Sequence, residues 1–185
     1  IKYINDNKFK EHDQLGSLFV ASKEIQDDLL IIFADIIFDE SILKQILNNN
    51  SEISIAIDMN WEKYETRNDN PIDDADKVSI LNGDVKRIFK NMKFYTEKYK
   101  IGEFIGLMKL NNQGCMKINQ VYSNLIDEHQ GKFHDAESFK KSKIIDILEE
   151  MIERGIKIEA ESINGKWCEI DTIQDLEIAK KIFVN

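Results

Sequence analysis

The fold class is decided by residues 28–39, which read DLLIIFADIIFD. Leu29 to Phe33 form a continuous apolar run, which predicts a strand buried on both faces of a parallel sheet. Asp35 follows this run. Because α/β proteins bind ligands beyond the carboxyl ends of their strands, Asp35 is a candidate to meet a ligand or a metal that the ligand carries. The alternative is that Asp35 is only a turn residue that ends the strand.

A strand–helix–strand unit extends from the same stretch. Asp39 can cap a helix with an apolar stripe, and residues 53–57 form a second apolar run that ends at Asp58. Such a unit is typical of a right-handed crossover between parallel strands. Further strands are predicted over 78–81, 85–89, 102–110, 156–163 and 166–170, and further helices over 14–25, 112–129, 137–154 and from 172 onward. The last of these helices begins with residues 172–175, TIQD, which resemble a capping box with Asp175 in place of the usual glutamate or glutamine. The sequence therefore predicts one α/β domain over residues 1–185, with a mixed, mostly parallel sheet and helices on both faces.

Glycines and asparagines predict the turns between these elements. The Asn-Gly pairs at 82–83 and 164–165 each predict a tight hairpin. Gly102 and Gly106 permit close approach of a neighbouring segment or a ligand to the strand that contains them. Residues 59–77 are aromatic and acidic without a clear period, which predicts a long loop that either carries function or is a solvated connection.

Composition and charge exclude several classes of protein. The 185 residues are 42% hydrophobic and include one proline, which predicts a folded core and not disorder. The net charge of −9 disfavours nucleic acid and anionic membranes as partners. No apolar run is long enough to span a bilayer, and Cys115 and Cys168 are isolated, which is typical of reduced thiols in a cytoplasmic protein. The sequence does not fix the oligomeric state, and a homodimer is compatible with it.

A second group of acids lies near the end of the chain. Residues 167–172 read WCEIDT, so Glu169 and Asp171 lie between a predicted strand and the last predicted helix. Two strand ends of an α/β sheet can lie at one rim, which would bring these acids close to Asp35. Mg²⁺ prefers oxygen ligands and is commonly held by one or two carboxylates together with phosphate oxygens. The spacing alone is too long to be a motif.

Five segments together resemble the sugar-phosphate nucleotidyltransferase superfamily. In order they are FADIIFD (33–39), DMNW (58–61), NPIDDADKV (70–78), GEFIGL (102–107) and WCEIDT (167–172) followed by Asp175 and Leu176. Within the superfamily, the chain is most similar to the branch of phosphocholine cytidylyltransferases and of the cytidylyltransferases of phosphonate biosynthesis, which can be fused to phosphoenolpyruvate mutase. The resemblance covers nearly the whole chain, although Ala34 stands where the family usually has glycine.

One departure from the family concerns its first motif. Family members begin with a Gly-rich loop and a basic segment that cradle the nucleotide triphosphate, whereas the eight glycines here are scattered and form no such loop. The resemblance therefore implies a Rossmann-like nucleotidyltransferase sandwich that lacks the first βαβ region. We expect residues 1–185 alone to be inactive and to leave apolar surface near residues 29–33 uncovered. A naturally short relative is the alternative.

The resemblance also implies an activity. It is Mg²⁺-dependent transfer of a nucleotidyl group from a nucleoside triphosphate, with CTP favoured, to a small substrate such as phosphocholine or 2-aminoethylphosphonate, with release of pyrophosphate. Asp35 and Asp171 are the implied catalytic residues and, together with Glu169, the implied ligands of Mg²⁺.

The implied acceptor pocket combines aromatic faces and acids, which suit a quaternary ammonium or a primary amine. Its candidate residues are Trp61, Tyr64, Asp73, Asp74, Glu103 and Phe104. For Trp61 and Phe104 the alternative is ordinary packing in the core. Two other functions stay open: a nucleotidyltransferase that acts on sugar 1-phosphates, and a non-catalytic binding or regulatory module of the same fold.

Overall fold

The computed structural model describes residues 1–63, 75–90 and 97–184. Its helices are α1 (Gln14–Val20), α2 (Glu40–Asn48), α3 (Asn112–Glu128), α4 (Ile144–Glu153) and α5 (Ile173–Phe183). Its strands are β1 (Leu29–Ile32), β2 (Ile36–Phe38), β3 (Ile53–Asp58), β4 (Lys77–Leu81), β5 (Asp84–Phe89), β6 (Lys100–Leu110), β7 (Glu159–Ser162) and β8 (Trp167–Glu169). None of the helices in these ranges is long and apolar enough to cross a membrane.

The main sheet is organised around the longest strand, β6. Six strands lie in the order β1-β6-β3-β7-β5-β4, and β6 pairs with β1 and β3 along its second half and with β4 near its beginning. The two remaining strands, β2 and β8, form a separate antiparallel sheet. This small sheet joins two parts of the chain that are far apart in sequence, and it carries the candidate site.

The predicted mixed α/β fold is confirmed, but the expectation that its sheet is mostly parallel is wrong for the described strands. Only β3 and β7 pair in parallel, whereas the other five pairings of the six-stranded sheet are antiparallel. The reason is the position of β6. β1 and β3 run in the same direction, as the strand–helix–strand unit predicted, but β6 lies between them and pairs antiparallel with both.

β1 is less buried than its apolar run predicted. Its first three residues are half-buried, and Ile32 is 47% exposed. Within the described ranges β1 pairs with β6 alone, so its second edge has no neighbouring strand there. The prediction of a strand buried on both faces is therefore wrong, whereas the exposure of Ile32 agrees with the expectation of uncovered apolar surface near residues 29–33.

Only one of the two predicted hairpins forms. Asn82 and Gly83 join β4 to β5, and both have positive φ angles, 54° and 85°, as a tight Asn-Gly turn requires. The strand before the second Asn-Gly pair, β7, pairs with β3 and β5, whereas the strand after it, β8, pairs with β2. Asp39 helps to hold β8 against β2 through two hydrogen bonds with Lys166. The Asp39 backbone N–H donates to the Lys166 carbonyl, and Asp39 Oδ2 accepts from the Lys166 N–H.

Helices cover both faces of the main sheet, as predicted. Side chains that alternate along β3 enter two separate hydrophobic clusters. Ile55 packs in the larger cluster with residues of α1, α3 and α4, whereas Ala56 packs with Ile42 and Ile46 of α2. α4 begins at Ile144 and not at 137, because Asp146 accepts a hydrogen bond from the Lys143 N–H, 2.7 Å, and so fixes the first turn there.

Candidate active site

Three carboxylates meet where β2 pairs with β8. Asp35 lies just before β2, Glu169 is the last residue of β8, and Asp171 follows two residues later. Ile36 pairs with Glu169 in the ladder, and the Ile170 N–H donates to the Asp35 carbonyl at 2.8 Å. As a result, carboxylate oxygens of Asp35, Glu169 and Asp171 lie within 4.8 Å of one another. We refer to these three residues as the carboxylate triad.

The cap of α5 fixes the backbone beside Asp171. Thr172 and Asp175 form the capping box that the sequence predicted: the Asp175 N–H donates to Thr172 Oγ1, and Asp175 Oδ2 accepts from the Thr172 N–H. The same Asp175 oxygen accepts from the Asp171 N–H at 3.2 Å. The strand ladder holds one part of the triad and the helix cap holds the other, so the triad rests on defined secondary structure.

The electrostatics of the triad favour a divalent cation. Asp35 and Asp171 are exposed and Glu169 is half-buried. Two unit negative charges 4 Å apart repel by about 4 kcal/mol at an effective dielectric constant of 20, and a bound cation reverses that energy. A set of three carboxylates fits Mg²⁺, which binds oxygen ligands and completes its shell with water and phosphate oxygens. The metal-binding role of the triad stays a prediction.

The triad lies on the wall of a cleft of about 420 Å³. Phe33, Phe104 and Trp167 supply the aromatic part of this wall, and Asp76, Glu103, Lys90 and Lys143 supply most of its other charges. The volume is of the size typical of small-molecule sites. We refer to this space as the triad cleft.

Gly106 allows β6 to pass close to the segment that leads to the triad. Its φ is +79°, and an added Cβ would lie 2.6 Å from the ring of Phe33. The Phe33 N–H donates to the Gly106 carbonyl at 2.9 Å, and the Phe33 ring meets Phe104 edge to face at 5.8 Å between centroids. The sequence prediction that a glycine of this strand permits close approach of a neighbouring segment is confirmed here.

A buried hydrogen bond ties the small sheet to the main sheet. The Trp167 indole Nε1–H donates to Asp58 Oδ2 at 2.8 Å, and both residues are buried. Asp58 Oδ1 accepts from the Asn60 N–H at 2.7 Å. Asp58, which the sequence places at the end of a strand, therefore anchors the beginning of β8, two residues before Glu169.

The structure brings two of the six predicted acceptor residues to the triad cleft. Glu103 and Phe104 line it and are almost fully buried. Trp61 is 4% exposed and is not part of the described cleft wall; the Lys77 ammonium lies 5.7 Å from its ring centroid. The three other predicted acceptor residues, Tyr64, Asp73 and Asp74, lie outside the described residues.

Sequence reasoning missed three charged residues of the triad cleft. Asp76, Lys90 and Lys143 all line it, although no strand-end pattern marks them. Burial raises the pKa of Asp76 to about 6, and the charges of Lys90 and Lys143 oppose that rise. The sequence carries one signal for Asp76, which is its position inside the segment NPIDDADKV together with the predicted acceptor residues Asp73 and Asp74.

No model of a known protein family matches this chain. A Campylobacter jejuni protein named CTP:phosphoglutamine cytidylyltransferase is 30% identical over 183 residues, which are 95% of this chain and 70% of that protein. Among solved structures, the inositol-1-phosphate CTP transferase from T. maritima matches with a TM-score of 0.64 and 18% identity, over 95% of this chain and 64% of that one. The CTP:phosphocholine cytidylyltransferase from Streptococcus pneumoniae matches with a TM-score of 0.60 and 14% identity, over 96% and 66% of the two chains.

The matches to the two solved structures show that this chain shares their fold. The 30% identity over most of both proteins goes further: this chain belongs to the cytidylyltransferase family of the sugar-phosphate nucleotidyltransferase superfamily, together with the C. jejuni protein. The family resemblance drawn from the sequence is thereby confirmed. The chain spans 70% of the C. jejuni protein and just under two thirds of the two solved structures.

Proposed function

We propose that the full-length protein containing this chain transfers a cytidylyl group from CTP to a small phosphorylated or phosphonate acceptor, in a reaction that requires Mg²⁺. The observation that carries the proposal is the carboxylate triad of Asp35, Glu169 and Asp171 on the wall of the triad cleft. The C. jejuni relative is named for phosphoglutamine, and the sequence resemblance indicates phosphocholine or 2-aminoethylphosphonate. Each of these three acceptors has an oxygen bound to phosphorus that can act as the nucleophile, and each also carries a nitrogen-containing group.

In the proposed reaction an acceptor oxygen attacks the α-phosphorus of CTP. A new oxygen–phosphorus bond forms, the bond from the α-phosphorus to the oxygen that bridges to the β-phosphate breaks, and pyrophosphate leaves with that electron pair. Such chemistry depends on positioning and charge neutralisation more than on a covalent catalyst. Asp35, Glu169 and Asp171 would hold Mg²⁺, which supplies positive charge to the phosphate oxygens.

Other groups of the triad cleft suit the same substrates. Lys90 and Lys143 carry positive charge on the wall that a phosphate would face. Phe33 and Phe104 offer apolar surface in the same cleft. Their rings meet edge to face, and Phe33, which follows β1, is held against β6 by its hydrogen bond to Gly106. A cleft that contains a metal-binding wall, two lysines and an aromatic corner is suited to an acceptor that is anionic at one end.

Pyrophosphate release by the full-length protein tests the proposal. CTP would be combined in turn with phosphocholine, 2-aminoethylphosphonate and phosphoglutamine, with Mg²⁺ present or chelated. We expect Asp35→Asn and Asp171→Asn each to lower kcat by about 10²- to 10³-fold, the size of effect seen when one electrostatic contact to a transition state is lost. Asp127→Asn, on the exposed face of α3 and outside the described cleft wall, is the matched control and should retain activity.

Three outcomes would contradict the proposal or redirect it. Turnover that survives both chelation of Mg²⁺ and the two triad substitutions would contradict the role of the triad. Equal or better turnover with sugar 1-phosphates would favour the sugar nucleotidyltransferase alternative. Absence of CTP binding in calorimetry of the full-length protein with Mg²⁺ would favour a non-catalytic module.

A further inference from the structure

Asp76 lines the triad cleft, and one oxygen of its side chain is buried without a hydrogen-bond partner in the described part of the protein. It lies directly before β4 and lines the cleft together with the triad. Its backbone carbonyl accepts a hydrogen bond from the Phe104 N–H at 2.9 Å, which holds it against β6. Its side chain, in contrast, has a buried oxygen, Oδ1, that accepts no hydrogen bond within the described part of the protein.

The buried, unpartnered Oδ1 of Asp76 lowers the stability of the folded protein. A buried carboxylate oxygen that lacks a donor loses its hydration without compensation. Consistent with that cost, burial raises the pKa of Asp76 to about 6, even though Lys90 and Lys143 act in the opposite direction. At pH 7 the side chain is therefore mostly ionised, and its buried oxygen is shielded from water, in a residue that lines a space a substrate can enter.

The neighbours of Asp76 show which part of an acceptor would lie there. Lys90 and Lys143 are close enough to influence its charge and line the same cleft. An acceptor that is anionic at its phosphorus end and carries a hydrogen-bond donor a few bonds away complements this arrangement of two cations and one acid. An acceptor whose nitrogen bears only methyl groups offers no donor to the carboxylate.

We propose that the Asp76 carboxylate accepts a hydrogen bond from an N–H group of the acceptor, so that the cleft selects acceptors with a primary ammonium or an amide over those with a quaternary ammonium. This inference rests on the proposed function, since it assigns the acceptor to the triad cleft. It names the chemical class of the acceptor: a small phosphate, phosphonate or phosphoramidate with an N–H donor. Asp76 is then a specificity-determining residue and not a ligand of the metal.

Phosphoethanolamine and phosphocholine provide the sharpest test, because they differ only by three N-methyl groups. The full-length protein would be assayed with CTP and each acceptor, and phosphoglutamine and 2-aminoethylphosphonate would serve as further donor-bearing acceptors. We expect kcat/KM for at least one donor-bearing acceptor to exceed that for phosphocholine by about 10- to 100-fold, the factor that one charge-assisted hydrogen bond supplies.

Substitution of Asp76 should abolish this preference. Asp76→Ala should lower kcat/KM for the preferred acceptor about 10- to 100-fold, chiefly through KM. The loss for phosphocholine should be clearly smaller, because its quaternary ammonium is attracted by the charge of the carboxylate but donates no hydrogen bond to it. The KM for CTP should change by less than about twofold. Asp76→Asn keeps the shape of the side chain and should lie between the wild type and Asp76→Ala. Because the ionised side chain is unfavourable for folding, both variants should fold, and Asp127→Asn serves as the control for loss of one acid.

Direct binding separates this inference from the proposed function. Calorimetric titration of each acceptor into the wild type and into Asp76→Ala needs no turnover. Asp76-dependent binding of a donor-bearing acceptor by a protein that transfers nothing from CTP would overturn the proposed function and support the inference. Transfer or binding with no preference over phosphocholine, or an equal loss for all acceptors in Asp76→Ala, would overturn the inference, as would failure of the wild type to bind any of the donor-bearing acceptors.

Discussion

Replacing Trp167 by phenylalanine should destabilise the protein and weaken metal binding, because one hydrogen bond joins the candidate site to the main sheet. Trp167 Nε1 donates to Asp58 Oδ2 at 2.8 Å, with Trp167 6% and Asp58 3% exposed. Phenylalanine keeps an aromatic ring in the cluster formed with Ile42 and Ile46 but has no donor. The Asp58 oxygen would then be buried without the indole N–H.

The expected loss of stability has two parts, the lost hydrogen bond and the smaller aromatic ring. A hydrogen bond to a charged group contributes about 1.5–3 kcal/mol, and loss of part of a buried ring adds about 1 kcal/mol. The free energy of unfolding of Trp167→Phe should therefore fall by about 2.5–4 kcal/mol relative to the wild type. With a urea m value of about 2 kcal/mol/M, the unfolding midpoint would fall by about 1–2 M.

Urea unfolding of the full-length protein, followed in a double-mutant cycle with Asp58→Ala, measures this effect. In the Asp58→Ala background Trp167→Phe should cost only its packing share of about 1 kcal/mol. The affinity for Mg²⁺ should also fall about tenfold, as is typical when a residue that orients metal ligands is changed. Equal costs of Trp167→Phe in both backgrounds would refute the reasoning, because the hydrogen bond would then contribute nothing.

Three further predictions follow from the same structure. Gly106→Ala should lower the free energy of unfolding by about 2–4 kcal/mol, because an alanine at φ +79° would be strained and its Cβ would lie 2.6 Å from the Phe33 ring. A change of less than about 1 kcal/mol in urea unfolding would contradict this prediction. Asp76 has a raised pKa of about 6, so the folded state binds more protons than the unfolded state between about pH 4 and 6, and the free energy of unfolding should fall as the pH rises through that window. Asp76→Asn should remove this penalty, which is about 3 kcal/mol at pH 7, and the free energy of unfolding should then depend less steeply on pH. In thermal unfolding, Mg²⁺ at about 100 times its dissociation constant should stabilise the wild type by about 2.7 kcal/mol and the Asp35→Asn/Asp171→Asn double variant by much less. Equal stabilisation of both proteins would argue against the triad as the metal site.

Local signals in the sequence predicted local structure well. The turn at Asn82 and Gly83 and the capping box of Thr172 and Asp175 both form, because the few residues involved determine their own hydrogen bonds. The choice of strand partners was predicted less well. Nothing in residues 29–57 shows that β6, which begins only at Lys100, lies between β1 and β3, since that arrangement depends on contacts between distant parts of the chain.

For the carboxylate triad, local sequence signals indicated which acids lie together, but the choice of strand partners was not predicted. The sequence indicated that Asp35, Glu169 and Asp171 would lie at one rim, because each is next to a strand end, and the structure places their carboxylate oxygens within 4.8 Å. The route differs from the one expected. The acids do not meet at neighbouring strand ends of the main sheet but at the separate ladder of β2 and β8. The sequence had instead predicted that the second Asn-Gly pair joins β8 in a hairpin to the strand before it. Their metal-binding role stays a prediction.

Asp76 shows why charged residues of a cleft are the hardest to predict from sequence. Neighbouring acids at 73 and 74 have the same residue type and the same loop composition, so no pattern distinguishes them from Asp76. What distinguishes Asp76 is its surroundings: a backbone hydrogen bond from Phe104, burial of Oδ1 and the proximity of Lys90, all supplied by segments that follow it in the chain. An acid that costs the folded state free energy at neutral pH is better explained by a ligand than by the fold, since an amide of the same shape would fill the position without that cost.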